Sequence, residues 1–217
     1  MSTFKPSTLA VLGATGRTGR RVVAAALADG YPVRALARDP AALADLASPR
    51  LTVVAGDAHD LAVVARLVDG ADGVISALGG GTTADPGTTR SAGARNVARA
   101  LADAGRPEAR VLLVAGGGIL DAPGGGLRQE RPGFPAVFRL VSAEHRRAWE
   151  AVRDTRLAWT AVCTGDIVPG ERTGVYRAAA DVMPEGGRRI SVGDLADFLL
   201  AEWRAGRYVR RRVGLAD

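Results

Sequence analysis

Leu9-Ala10-Val11-Leu12-Gly13-Ala14-Thr15-Gly16-Arg17-Thr18-Gly19 is the stretch from which the rest of the chain can be read. Four apolar residues make a strand suited to burial on both faces, and a helical pattern from Arg20 to Ala28 opens behind the glycines. A strand that turns sharply through glycines into a helix brings bare backbone N–H groups up to a pyrophosphate. The positive end of the helix dipole then favours the phosphate charge. Glycine suits such a turn because it has no side chain to block close approach and tolerates positive φ. Any tight turn is glycine-rich, but here the strand before, the helix after and the position in the first βαβ unit point to a dinucleotide site.

On the C-terminal side of this stretch, strand-like runs alternate with helical ones. Strands are expected at 32–37, 51–55, 73–78, 110–115 and 157–162. Helices are expected from Asp60 to Val68, Ser91 to Ala104, Ala136 to Asp154, and Ser191 or Asp194 to about Arg204. Periodicity stops between Leu120 and Pro135, a long loop of the kind that forms lids. The segment 164–190 is irregular, with a short strand expected at 174–177, and Tyr208 to Val213 alternates like a last strand. The pattern predicts an α/β fold: a doubly wound parallel sheet (Rossmann fold) in one domain spanning 1–217, with the irregular segment near the active-site mouth.

Composition narrows the function. The 217 residues carry a net charge of +6, but the arginines are scattered apart from Arg204, Arg207, Arg210, Arg211 and Arg212. Aromatics are 5% of the chain, too few to form a stacking surface, so a solvated basic face is expected and no nucleic acid. No apolar run reaches the roughly 18–20 residues of a membrane span, and Phe4-Lys5-Pro6-Ser7 leads into the first strand without a signal-peptide core. A single cysteine, Cys163, in an apolar run reads as a small buried hydrophobe; with no internal disulfide possible, a reduced, cytoplasmic setting is expected. Two histidines and one cysteine, far apart, offer no metal spacing.

In a doubly wound sheet, ligands lie beyond the carboxyl ends of the strands. After the second strand an NAD site offers an acid to the ribose hydroxyls. This chain offers Arg38, whose guanidinium matches the 2′-phosphate of NADP, and Arg17 is near enough in the glycine loop to share it. Asp39 follows at once and would restore NAD binding. Asp57 ends the third strand and is placed either to accept from the exocyclic amine of adenine or to cap the next segment. Leu78-Gly79-Gly80 ends the fourth strand, where small residues let the nicotinamide half lie close to the backbone.

Together Gly13 to Gly19, Arg38-Asp39, Gly56-Asp57 and Gly93-Ala94-Arg95-Asn96 resemble the atypical short-chain dehydrogenases/reductases. Within that group, the chain is similar to the NAD(P)H-binding proteins of the biliverdin reductase B and NADPH flavin reductase kind over nearly its whole length. The resemblance implies NADP as cofactor and reduction of a flavin or similar conjugated acceptor. It also implies cofactor contacts from Gly13, Thr15, Gly16, Arg17, Thr18, Arg38, Asp57, Ala58, Leu78 and Gly79.

Two departures bear on the chemistry. The reductase branch has a serine after the fifth strand and a histidine after the sixth, where this chain has Gly116 and Asp166. More distant dehydrogenases use a Tyr-x-x-x-Lys pair. The only lysine here, Lys5, precedes the first strand, so none of the tyrosines Tyr31, Tyr176 and Tyr208 has such a partner. Asp166 is a proton donor if burial raises its pKa, or a cap for the irregular segment. His145 reads as a surface or packing residue, and Glu144 and Glu150 as solvated helix residues. The expected function is an NADPH-dependent reductase of a flavin, quinone or similar small planar acceptor, with little acid–base catalysis. The alternative is an NmrA-like module that binds NAD(P) and reports redox state to a protein partner. A sugar-nucleotide epimerase ranks last, since the chain is short for a separate substrate domain and lacks the Tyr–Lys pair.

Overall fold

A computed structural model describes residues 7–217. Among these residues, eight strands form one sheet: β1 (Leu9–Leu12), β2 (Val33–Ala37), β3 (Leu51–Ala55), β4 (Gly73–Ser76), β5 (Arg110–Gly116), β6 (Ala158–Thr164), β8 (Arg177–Ala180) and β10 (Arg211–Ala216). Their order is β3-β2-β1-β4-β5-β6-β10-β8. All neighbours are parallel except the edge pair β10–β8. The remaining strands, β7 (Asp166–Val168) and β9 (Arg189–Ser191), pair with each other beside the main sheet.

Every residue of β1 and β4 is buried, as a strand covered on both faces requires. The helices α1 (Arg17–Ala28) and α5 (Val192–Ala205) cover one face. The helices α2 (Leu61–Val68), α3 (Thr89–Asp103) and α4 (Arg139–Arg153) cover the other. The helix ends follow from local chemistry. Asp60 Oδ1 accepts from Ala62 N and Val63 N at the start of α2, and Ser191 Oγ accepts from Asp194 N at the start of α5. Gly206, in left-handed conformation, ends α5. The apolar residues Val192, Leu195, Phe198 and Leu199 of α5 all pack inside the monomer.

Several elements fall elsewhere than the sequence pattern placed them. The last strand is β10 at 211–216, three residues later than 208–213, because 207–210 form a turn. The strand expected at 174–177 is β8, starting at Arg177, and β7 and β9 were not anticipated. Residues 136–138 form a 3₁₀ turn ahead of α4. Glu144 is fully buried, with Oε1 accepting from the Ser91 backbone N–H at 2.8 Å, so it is not a solvated helix residue. Arg212 belongs to no exposed basic face: it is half-buried and pairs with Asp121 at 2.8 Å. Cys163 is buried, and burial raises its thiol pKa well above the usual range, as befits an inert packing residue. Lys5 lies outside the described residues. No helix among the described residues is long and apolar enough to cross a membrane.

Candidate dinucleotide and acceptor site

The carboxyl ends of six adjacent strands make a continuous edge. In spatial order they present Asp57 (after β3), Arg38 (after β2), Gly13 (after β1), Leu78 (after β4), Gly116 (β5) and Asp166 (after β6). The reversal of strand order at β1 and β4 is the place where doubly wound sheets hold ligands.

The centre of this edge is the glycine turn. Gly13 has φ +73°, and a Cβ there would stand 2.5 Å from the Ala77 carbonyl oxygen. A Cβ on Gly19 would overlap the Gly13 carbonyl oxygen. Both positions therefore need glycine for the turn to close under α1. Gly16 is the N-cap of α1 and provides no side-chain cap, and no acid stands in the first turn. The first N–H groups of the helix are therefore left without a side-chain acceptor, a ready anion seat. Thr15 is exposed beside it, and Thr18 is buried beneath. The fit to a dinucleotide pyrophosphate is good.

Toward the adenosine end, Arg38 is exposed and has no protein partner among the described residues. Asp39 uses Oδ1 to cap the following 3₁₀ turn, accepting from Ala41 N at 3.0 Å. Asp57 Oδ1 accepts from the His59 backbone N–H at 2.9 Å and meets its ring Nδ1 at 2.7 Å. The first of these bonds, helped by the ring, holds the Asp57 carboxyl below the usual carboxylate range. The capping role weighed for Asp57 is thus present in one oxygen, while Oδ2 remains free. Ala58 is buried, and its carbonyl accepts from Asn96 Nδ2 at 2.8 Å, which ties α3 to the cradle. Gly93 lets α3 approach, since a Cβ there would overlap the Leu78 side chain. Gly79 has open space around it. Arg17 leans away from Arg38: its Nη1 reaches the Ile167 carbonyl in β7, on the other side of β1 from β2, at 3.4 Å.

Beyond Gly116 the edge opens into a cavity of about 810 Å³, the size of a pocket for a small organic ligand. Phe134, Phe138, Val141 and Met183 provide apolar walls; Arg128, Arg131, Arg188, Asp166, Ser142 and His145 provide polar groups. The 120–135 loop and the 164–190 segment supply much of this lining. Asp166 is exposed, and its side chain caps nothing; only its backbone N–H is engaged, donating to the Arg188 carbonyl at 2.9 Å. Neither reading of Asp166 is met: its side chain caps nothing, and it lacks the burial on which a proton-donor role depended.

His145, read from sequence as a surface or packing residue, packs at the cavity wall. It sits on α4 with its ring against Gly116: a Cβ on that glycine would stand 3.1 Å from Cδ2 and 3.4 Å from Nε2. Its Nδ1 is buried without a hydrogen-bond partner. Burial, assisted by the charge of Arg90, lowers the imidazole pKa to about 3, so the ring is neutral at physiological pH. The only advance signal was a polar residue at helical spacing, and which face it occupies depends on how α4 packs. None of the three tyrosines lines the cavity, and burial and a hydrogen bond to Asp197 push the Tyr176 phenol up to about 12. Among the described residues, no group of His, Cys, Asp and Glu is arranged to hold a metal.

Residues 13–204 match the model of a family described as NAD(P)H-binding. The chain belongs to that family. Among solved structures, an exported protein of provisional assignment from Burkholderia pseudomallei is 31% identical, with TM-score 0.81 over 97% of this chain and 100% of that one. A provisionally assigned NADH-flavin reductase from Streptococcus pneumoniae is 25% identical, with TM-score 0.78 over 97% of this chain and 99% of that one. An isoflavone reductase homologue of Zea mays is 44% identical over 87 residues, which cover 36% of this chain and only 28% of that protein's length.

Proposed function

We propose that the protein is an NADPH-dependent reductase of a planar acceptor of the flavin or quinone type. The observation that carries this reading is continuity: the glycine cradle at β1 runs along the strand ends into an acceptor-sized, apolar-walled cavity beyond Gly116. The likeness to the Streptococcus pneumoniae protein, assigned as an NADH-flavin reductase, supports the acceptor class. Bound NADPH supplies a hydride, which the acceptor takes up together with a proton.

The chain's own residues do the rest. The N-terminal N–H groups of α1 hold the pyrophosphate. Arg38, unpaired at the end of β2, takes the 2′-phosphate of NADP in preference to the NAD ribose, while Asp39 is committed to its 3₁₀ cap. Phe134, Phe138 and Met183 stack on a flat ring and exclude water from one side. Neutral His145 stands beside Gly116 as a weakly basic hydrogen-bonding group, not a cationic acid. Solvent at the cavity mouth replaces the proton, which a flavin or quinone accepts without strong acid catalysis.

Calorimetric titration of NADPH and NADH against wild type and Arg38→Ala, followed by NADPH oxidation with flavins and quinones, tests the proposal. The expected outcome is a preference for NADPH of about tenfold or more (roughly 1.4 kcal/mol), lost in Arg38→Ala, and oxidation accelerated by at least one acceptor. Equal binding of the two cofactors would overturn the NADPH assignment. Tight binding with no acceptor-dependent turnover would overturn the reductase and favour a sensing module.

A further inference from the structure

The geometry points to an anionic group on the acceptor, a phosphate or carboxylate bound by Arg128 with help from Arg188. This rests on the reductase reading and specifies its substrate. Arg128 is half-buried in the loop over the cavity, and its Nη1 would lie 3.6 Å from a Cβ on Gly117. Its guanidinium makes no hydrogen bond or ion pair with any described residue. Every other half-buried arginine among the described residues has such a partner, from Arg20 on Asp45 to Arg212 on Asp121. The neighbouring Arg131 illustrates the contrast: its Nη2 donates to the Pro123 and Gly125 carbonyls and fixes the loop.

Partial desolvation of a guanidinium without a partner costs free energy, which a bidentate anion would return. Arg188, also in the cavity wall, is exposed and likewise has no side-chain partner among the described residues. Against these guanidinium groups the wall presents a single carboxylate, Asp166. The cofactor's own phosphates belong to α1 and Arg38, at β1 and β2, whereas Arg128 stands past the end of β5. The apolar walls take the ring of the acceptor, and Arg128 takes the charged substituent.

Matched flavins that differ only in that substituent test the inference. Riboflavin and flavin mononucleotide form the phosphate pair; lumiflavin and its 10-carboxymethyl analogue form the carboxylate pair. NADPH-dependent kcat/KM is measured for wild type, Arg128→Gln and Arg188→Gln, with NADPH affinity as a check on folding. The expected result is a preference for the charged member of at least one pair by about tenfold or more. Arg128→Gln abolishes it and Arg188→Gln weakens it, while turnover of the neutral flavin is kept. The pair that shows the preference identifies the anion. Equal turnover of charged and neutral flavins in wild type overturns the inference and leaves the reductase reading intact, as does an Arg128→Gln variant that weakens NADPH and both flavins alike. If no flavin turns over, the reductase reading fails for flavins, and quenching of flavin fluorescence by the NADP-saturated protein decides: Arg128-dependent binding of the charged flavin supports the anion seat, and its absence overturns it.

Discussion

His145 shows how one side chain ties the site to the stability of the fold. Its pKa falls from an ordinary 6.5 to about 3 on folding, so the unfolded chain binds the extra proton throughout that window. Stability is therefore greatest above pH 6.5 and declines as pH falls toward 3, by at most about 1.4 kcal/mol per pH unit for one proton. His145→Gln should flatten this slope in urea denaturation measured between pH 7 and 4; an unchanged slope would mean that the ring is not sealed. Residue-scale legibility was uneven. Gly13 and Gly19 were readable because close backbone approach leaves only glycine as a solution. Gly19→Ala should thus cost at least about tenfold in cofactor affinity by calorimetry. The environment of His145 was not readable, because burial on α4 is decided by β5 and Arg90, distant in sequence.

Among elements, the end of α5 is fastened by one buried carboxylate. Glu202 is fully buried; its carboxylate accepts from Arg110 at 2.7 Å and from the backbone N–H groups of Arg207 and Tyr208. It joins α5, β5 and the turn into β10. Arg110→Met would leave that buried charge with only the exposed Arg207, at 4.0 Å, as a cation, and by analogy with other broken buried pairs thermal or urea unfolding should show a loss of up to about 3 kcal/mol. Glu202→Gln, which keeps the shape, should cost less. α2, β3 and β5 were legible almost to their ends, because their apolar runs are bounded by glycine, proline or a capping aspartate. Those that failed were short or held by a crossing chain. β7 and β9 are three residues each, too brief for a period to register. β10 contains Gly214, which reads as a break. It is there because a Cβ would overlap the Val182 carbonyl of a passing segment, a reason visible only in three dimensions.

At the scale of the whole molecule, the order β3-β2-β1-β4-β5-β6 was implicit in the alternation of strand and helix, since right-handed crossovers leave few arrangements. The cavity was not implicit, because it is assembled from loops after β5 and β6 that share no pattern. The uncapped start of α1 gives a global prediction. If NADPH occupies those N–H groups, a concentration of 100 times Kd should add about 2.7 kcal/mol and raise Tm by about 5–10 °C. Gly19→Ala, with affinity about tenfold lower, should show about half that rise at the same concentration. The same feature has a consequence for the protein's lifetime. A helix whose cap is a metabolite is completed only when that metabolite is present, and proteases act on the population that opens. Limited proteolysis should therefore slow as dinucleotide is added, and the abundance of this chain would follow the nicotinamide pool even with no change in its synthesis.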